Sequence, residues 1–184
     1  MTASGKVNRS PLLAVRRDQN RAIPKQAEME HLSMHVECTV DVLREARDTG
    51  MLQRHWEELA LDQDEVPLSP DWGRYWDLEC QGCLSTLAVR ERSRLVGYSI
   101  MVLTHGLHYA DCYEARMDIF WLAPEVRGRY GGVRMFRAHE KELKRRGVKR
   151  VYCGSKLHRD SSRLFLRLGY RPVETWFSKM LTGD

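Results

Sequence analysis

The sequence predicts one α/β (α+β) domain built on a mixed, mostly antiparallel central sheet with helices packed against it. Three observations predict this. Apolar, strand-like runs follow one another between residues 84 and 123 with only short polar breaks, which favours a meander. Helix-period apolar spacing stands on both sides of that block, at Val42, Leu43, Ala46, Leu52, Trp56 and Leu59 and again at Val133, Phe136 and Leu143. Glycine and proline punctuate the joins, and 184 residues suit one domain with a sizeable core.

Residues 1–31 mix Arg, Lys, Pro and polar residues without a sustained apolar period, and are expected to form a flexible basic extension. The domain proper spans 32–184. It begins with "LSMHVECTV", a short strand, after which the helical spacings divide into two helices at Gly50. "QDEVPLSPDWGRYWDLECQG" contains prolines, acids and aromatics and reads as an irregular loop. Its Trp72, Tyr75 and Trp76 can wall a substrate pocket or pack over the edge of the core.

Three strands come next: "LSTLAVRE", "LVGYSIMVL" and, after "THGLHYAD", "CYEARMDIFWLA". "GVRMFRAHEKELKRRG" then has helix start and stop signals, closing at Gly147, and "VKRVYCGS" is a short strand. Residues 160–168 predict a helix with Asp160 or Ser161 as N-cap and Gly169 as its stop. "YRPVETWFSKML" is expected to supply the last strand.

A formal charge of +5 and a pI near 9.0 fit an anionic ligand or an acidic partner. No apolar run can cross a bilayer and no secretory pattern opens the chain, so a soluble, cytoplasmic protein is expected, without membrane contact. Five cysteines, an odd number without dense spacing, predict reduced thiols. Cys80 and Cys83 form a CxxC but lack a second ligand pair, so no metal is expected. Cys153 reads as an inert strand thiol rather than an acyl carrier.

The most informative stretch is "LAPEVRGRYGG". An apolar strand ends in Pro, passes through an Arg- and Gly-rich turn and opens a helix, a place where free N–H groups and fixed positive charge suit a phosphate. Together with "LFLRLGY" further on, it makes the chain resemble the GNAT superfamily of acyl-CoA-dependent N-acetyltransferases from about Leu32 to the end. The family pattern is Arg or Gln, two variable residues, Gly, one variable residue, then Gly or Ala. Arg127 and Gly132 fit its ends, while Tyr130 stands at the middle glycine with Gly131 one place later.

What the resemblance implies is a GNAT-like domain using acetyl-CoA as cosubstrate, with direct transfer in a ternary complex to a primary amine of a small molecule or protein. Arg127, Gly128, Arg129, Tyr130, Gly131, Gly132 and Val133 would cradle the pyrophosphate. The backbone N–H near Leu122 would polarise the thioester carbonyl, and the strand would splay from its neighbour beside "VYCGS" to admit the cofactor. His158 occupies a position where members often carry Asn and becomes a polar contact for cofactor or substrate.

Phe165 stands where many members carry the Tyr that protonates the departing thiolate. It cannot donate a proton, so either another group or water does so, or the domain keeps the fold as a noncatalytic binding or structural module.

Transfer also needs a route for the amine's proton. Alternation along the strand before Pro124 puts Glu114, Arg116, Asp118, Phe120 and Leu122 on one side and Met117, Ile119 and Trp121 on the other. Charges inside a strand are costly unless they face a cleft or a partner, so Asp118 and Glu114 are the candidates for drawing the proton away. A surface ion-pair ladder through Arg116 is the alternative. A basic nucleic-acid-associated protein is the other rival, from the arginine-rich start and "EKELKRRGVKR", but a solvated helix face accounts for that charge more simply. Monomer and homodimer both remain open.

Overall fold

A computed structural model of the protein describes residues 32–128 and 130–181. The expected basic extension and Arg129 lie outside the described residues. Five strands form one sheet in the order of the chain: β1 (Leu32–Val36), β2 (Leu84–Glu91), β3 (Arg94–Gly106), β4 (Tyr109–Leu122) and β5 (Arg150–Tyr152). β1 to β4 pair antiparallel, and β5 pairs parallel to β4. The sheet is therefore mixed and mostly antiparallel.

Helices α1 (Thr39–Asp48), α2 (Met51–Leu59) and α3 (Trp72–Cys80) cover one face, and α4 (Gly131–Arg145) and α5 (Ser162–Leu168) the other. The period of two in the strands decides which residue holds which layer. On β2, Ser85 meets His139 of α4 at 3.0 Å while its neighbour Thr86 meets Thr39 of α1 at 2.7 Å. On β3, Tyr98 meets His55 of α2 at 2.7 Å and Ser99 meets His139 at 3.1 Å. Burial lowers the pKa of both histidines to about 4, so each is a neutral hydrogen-bonding side chain of the core.

α4 buries Met135, Phe136, His139 and Leu143 along one stripe, and the Phe136 side chain alone contributes about 2–3 kcal/mol by leaving water. Gly50, at φ +70°, separates α1 from α2 as the sequence predicts.

Three expectations need correction. The segment read as an irregular loop contains α3: the Asp71 carboxylate accepts the Arg74 N–H at 2.9 Å as an N-cap. Trp72, Tyr75 and Trp76 have i, i+3, i+4 spacing, and Glu79 accepts the Thr39 N–H at 3.1 Å, joining α3 to the start of α1.

The last expected strand does not form among the described residues. Residues 170–181 have no regular structure, with Trp176 76% and Phe177 93% exposed. Pro172 lacks a ladder donor, and strand propensity is realised only against a neighbour that packs on it.

Third, the alternation in β4 breaks. Ile100 pairs with Ile119 but Met101 with Met117, which leaves Asp118 as the extra residue of a bulge. Phe120 turns to α4 and α5, with its ring 5.2 Å from Phe136 and 6.0 Å from Phe165. Asp118, expected beside Phe120, instead reaches α3.

Candidate active site

β4 and β5 part company almost at once. They pair only at Glu114 with Arg150, Ala115 with Val151 and Arg116 with Tyr152. Beyond that point β4 continues to Leu122 paired with β3 alone, so residues 117–122 present an open backbone edge among the described residues. The pairing stops at Tyr152, beside the "VYCGS" stretch where a splay is expected. The open edge of β4 runs straight into a 3-10 turn, Pro124–Val126, and the Gly/Arg loop before α4.

The loop is shaped by close approach. Gly128 has φ +81° and Tyr130 takes the left-handed conformation at φ 56° as the N-cap of α4, costly for a residue with a Cβ. A Cβ on Gly131 would lie 2.8 Å from the Val126 carbonyl oxygen, and one on Gly132 would lie 3.2 Å from Leu164 of α5. The two glycines therefore close the turn and seat it on α5. The first intrahelical bond runs from the Arg134 N–H to the Tyr130 carbonyl at 2.9 Å. The N–H groups of Gly131 and Gly132 have no acceptor among the described residues, as expected for a helix start. Such donors fit an anion. Val133 follows them, half-buried.

Arg127 does something the sequence did not suggest. Its Nη1 and Nη2 donate to the two Glu58 oxygens at 2.6 Å each, its Nε donates to the Leu122 carbonyl at 2.7 Å, and its guanidinium lies 5.3 Å from the Trp121 ring. Trp121 donates its indole N–H to Glu58 at 2.8 Å and stacks on His55. Arg127 thus ties the loop to α2 and the end of β4, instead of extending freely toward a phosphate. The Arg127 hydrogen bonds, aided by Trp121, hold the Glu58 carboxyl down at about 2. No sequence signal marks Glu58, whose partner lies 69 residues away.

Glu58→Gln should lower stability by about 1–2 kcal/mol, with half-exposed Arg127 limiting the loss. A depressed carboxyl contributes fully above its ordinary value of 4.5 and loses that contribution as pH falls through about 2. The difference between the two proteins in chemical denaturation should therefore be constant near neutrality and close between about pH 4.5 and 2.

On the α2–α3 face, Tyr75 and Asp118 come together, with the Tyr75 hydroxyl donating to Asp118 Oδ2 at 3.2 Å. Asp118 keeps an exposed surface, yet protein packed around the carboxyl raises its pKa, opposed by the Tyr75 hydrogen bond. Burial, then the neighbouring Asp118 charge, raises the pKa of Tyr75, so it remains a donor. Trp76 is 54% exposed and Trp72 lies beneath the Arg47 guanidinium at 5.3 Å, while Tyr75 is the one of the three aromatics that hydrogen-bonds Asp118.

Glu114 is buried at 2% exposure, ion-paired to Arg150 at 3.3 Å and Arg116 at 3.7 Å. The expected surface ladder through Arg116 is present only in its Glu114 half: Glu114 is buried, adds Arg150 of β5, and Asp118 bonds Tyr75 instead.

Phe165 is 6% exposed, its ring 5.2 Å from Phe136 and 5.7 Å from Tyr170, a core side chain between α4 and α5. His158 is exposed on a turn bridged by Lys156 and Arg159. Ser161 is the N-cap position of α5 but makes no side-chain cap bond; Asp160 ahead of it accepts the Ser162 N–H at 2.8 Å. Burial pushes the Cys153 thiol up to about 12, which leaves it protonated and a poor nucleophile at neutral pH. No helix among the described residues is long and apolar enough to cross a membrane.

Neither a protein-family model nor a curated protein sequence matches the chain. Solved structures do. An aminoglycoside acetyltransferase from an uncultured soil metagenomic sample superposes with a TM-score of 0.63 at 14% identity, over 84% of this chain and 99% of its own. The ribosomal-protein-alanine N-acetyltransferase of Brucella melitensis biovar Abortus 2308 gives 0.59 at 14%, over 83% and 99%. A predicted acetyltransferase of Clostridium acetobutylicum, solved with acetyl-CoA, gives 0.57 at 14%, over 82% and 96%. The split between β4 and β5, the glycine turn and these superpositions agree on one architecture: the chain has the fold of the GNAT acetyltransferases.

Proposed function

We propose that the protein is an acyl-CoA-dependent N-acetyltransferase that moves an acetyl group from acetyl-CoA directly to a primary amine of a small molecule or protein. The observation that carries this reading is the edge of β4 from 117 to 122, open among the described residues and leading into a helix start whose Gly131 and Gly132 N–H groups have no acceptor among them. The amide-bearing pantetheine arm of acetyl-CoA would run along the first and its diphosphate would sit at the second. Arg127 stabilises this arrangement from behind by fixing the Leu122 end of β4.

Asp118 takes the proton as the neutral amine attacks the thioester carbonyl; the C–N bond forms, the C–S bond breaks, and a water that protonates the thiolate regains its proton from the Asp118 carboxyl, in place of the hydroxyl that Phe165 lacks. A thiol with a pKa of about 8.5 leaves acceptably without a strong acid. Tyr75 orients the Asp118 carboxylate. Glu114 holds its two arginines and takes no proton.

Calorimetry with acetyl-CoA, followed by thiol release with an amine panel, tests the proposal. Binding at one site per chain with amine-dependent thiol release is expected, and the absence of both overturns it. A second reading, a binding module without turnover, is favoured by Phe165 in the core at the acid's position. Binding without thiol release over the whole panel selects that reading.

A further inference from the structure

Toward β5, the face that carries Asp118 becomes a cationic shelf. We propose that this shelf binds an anionic group, a carboxylate or phosphate, on the acceptor, so that the acceptor is an anionic amine rather than a polycation; the inference rests on the transferase reading above.

The shelf is formed by strand register. Arg116 lies opposite Tyr152, and Arg150 opposite Glu114, where β4 and β5 pair. Tyr98 points to α2, so Val102 and Thr104 of β3 share its face, and Arg116 and Glu114 lie opposite those two. The bulge brings Asp118 to the same face, where it meets Tyr75.

Both guanidiniums pack on the Tyr152 ring, at 4.8 Å for Arg116 and 5.9 Å for Arg150, and Arg150 also lies 5.8 Å from the Tyr109 ring. Stacking holds them in place before any ligand arrives. Their side chains stay about half exposed, 49% and 48%.

The free donors, more than the net charge, favour an anion: Asp118 stands on the same face as a second carboxylate, yet among the described residues only Glu114 is ion-paired to the arginines. Two arginines share the single Glu114 carboxylate, which is enough to neutralise one. The Arg116 guanidinium reaches it only at 3.7 Å and makes no side-chain hydrogen bond among the described residues. Arg150 commits one nitrogen, Nη1, to Glu114 at 3.3 Å and to the Tyr152 hydroxyl at 3.0 Å. Most of the guanidinium N–H donors are therefore available for a bidentate carboxylate or phosphate.

Lys149, next to Arg150, adds to the positive field, its ammonium held by the Asp111 carbonyl at 2.7 Å. Asp118 stands two residues beyond Arg116, roughly 7 Å along the strand. An acceptor carrying both an amine and an anion would meet a carboxylate and a guanidinium in that order. A polycation would meet repulsion at the shelf.

The test uses paired amines and the intact protein. Glutamate is compared with its diamide, phosphoethanolamine with ethanolamine, and sisomicin serves as the polycation. The anionic member of at least one pair should have a kcat/KM about tenfold or more above its neutral partner, with the carboxylate and phosphate pairs distinguishing the two anions. That preference should shrink as salt is raised. In Arg116→Gln and Arg150→Gln, assayed separately so that Glu114 keeps one partner, the preference should fall toward unity through KM.

Equal or better use of the neutral partners, or of sisomicin, overturns the inference while leaving the transferase reading intact. If no amine is acetylated, the transferase reading fails instead, and calorimetry of the same amines in the presence of CoA reads the preference without turnover. A neutral or cationic preference there overturns the shelf as well.

Discussion

Gly97→Ala should cost about 3 kcal/mol or more, enough to lower Tm by roughly 6–12 °C in a domain of this size. The added Cβ would sit 2.4 Å from Leu122 Cδ2 and 2.6 Å from the Trp121 carbonyl oxygen. The side-chain contact can give way by rotation. The carbonyl belongs to the β4 backbone and cannot retreat without opening the ladder, where Gly97 pairs with Leu122. The same movement would shift Leu122, against which Gly131 and Gly132 close the turn. Thermal unfolding reads the loss of stability, and acetyl-CoA calorimetry below the lowered Tm should show weakened affinity. Unchanged stability would mean that β3 and β4 do not approach as described.

Asp118→Asn should reduce kcat/KM about 100-fold while leaving acetyl-CoA binding nearly unchanged, because the amide keeps the size of the side chain but accepts no proton. The pH profile gives the sharper reading. Burial raises the Asp118 pKa, so the carboxylate is lost at a higher pH than an ordinary aspartate would lose it. Activity should therefore fall on the acid side as pH drops through that raised value, with an inflection above the usual aspartate range. In Asp118→Asn this limb should disappear from the residual rate. A limb that persists unchanged would assign the proton to another group.

Much of the fold was legible because the chain advertises it locally. Gly50, Gly147 and Gly169 stop helices, apolar runs mark the strands from β2 to β4, and the stripe from Met135 to Leu143 marks α4. α3 was hidden by its prolines and acids, although Asp71 and the spacing of its three aromatics were the available signals. The expected final strand misled because β-branched and aromatic residues favour a strand only when a neighbour packs on them. At the candidate site, Asp118 and Tyr75 could be picked out singly, while their contact over 43 residues could not. Glu58 was invisible for the same reason. The Asp118 bulge was also beyond reach, since an extra residue in a ladder shows only when both strands are in view.

That bulge has a consequence for solubility. A strand edge without a second neighbour is a template on which another chain can add and aggregate, and among the described residues β4 has no strand on its outer side from 117 to 122, where Arg127 holds only the Leu122 carbonyl. Local twisting and a charge in the stretch are two devices that discourage such addition, and Asp118 supplies both. The residue proposed to accept a proton also helps keep molecules of this protein apart, so an apolar replacement there would carry a risk of precipitation separate from any loss of turnover.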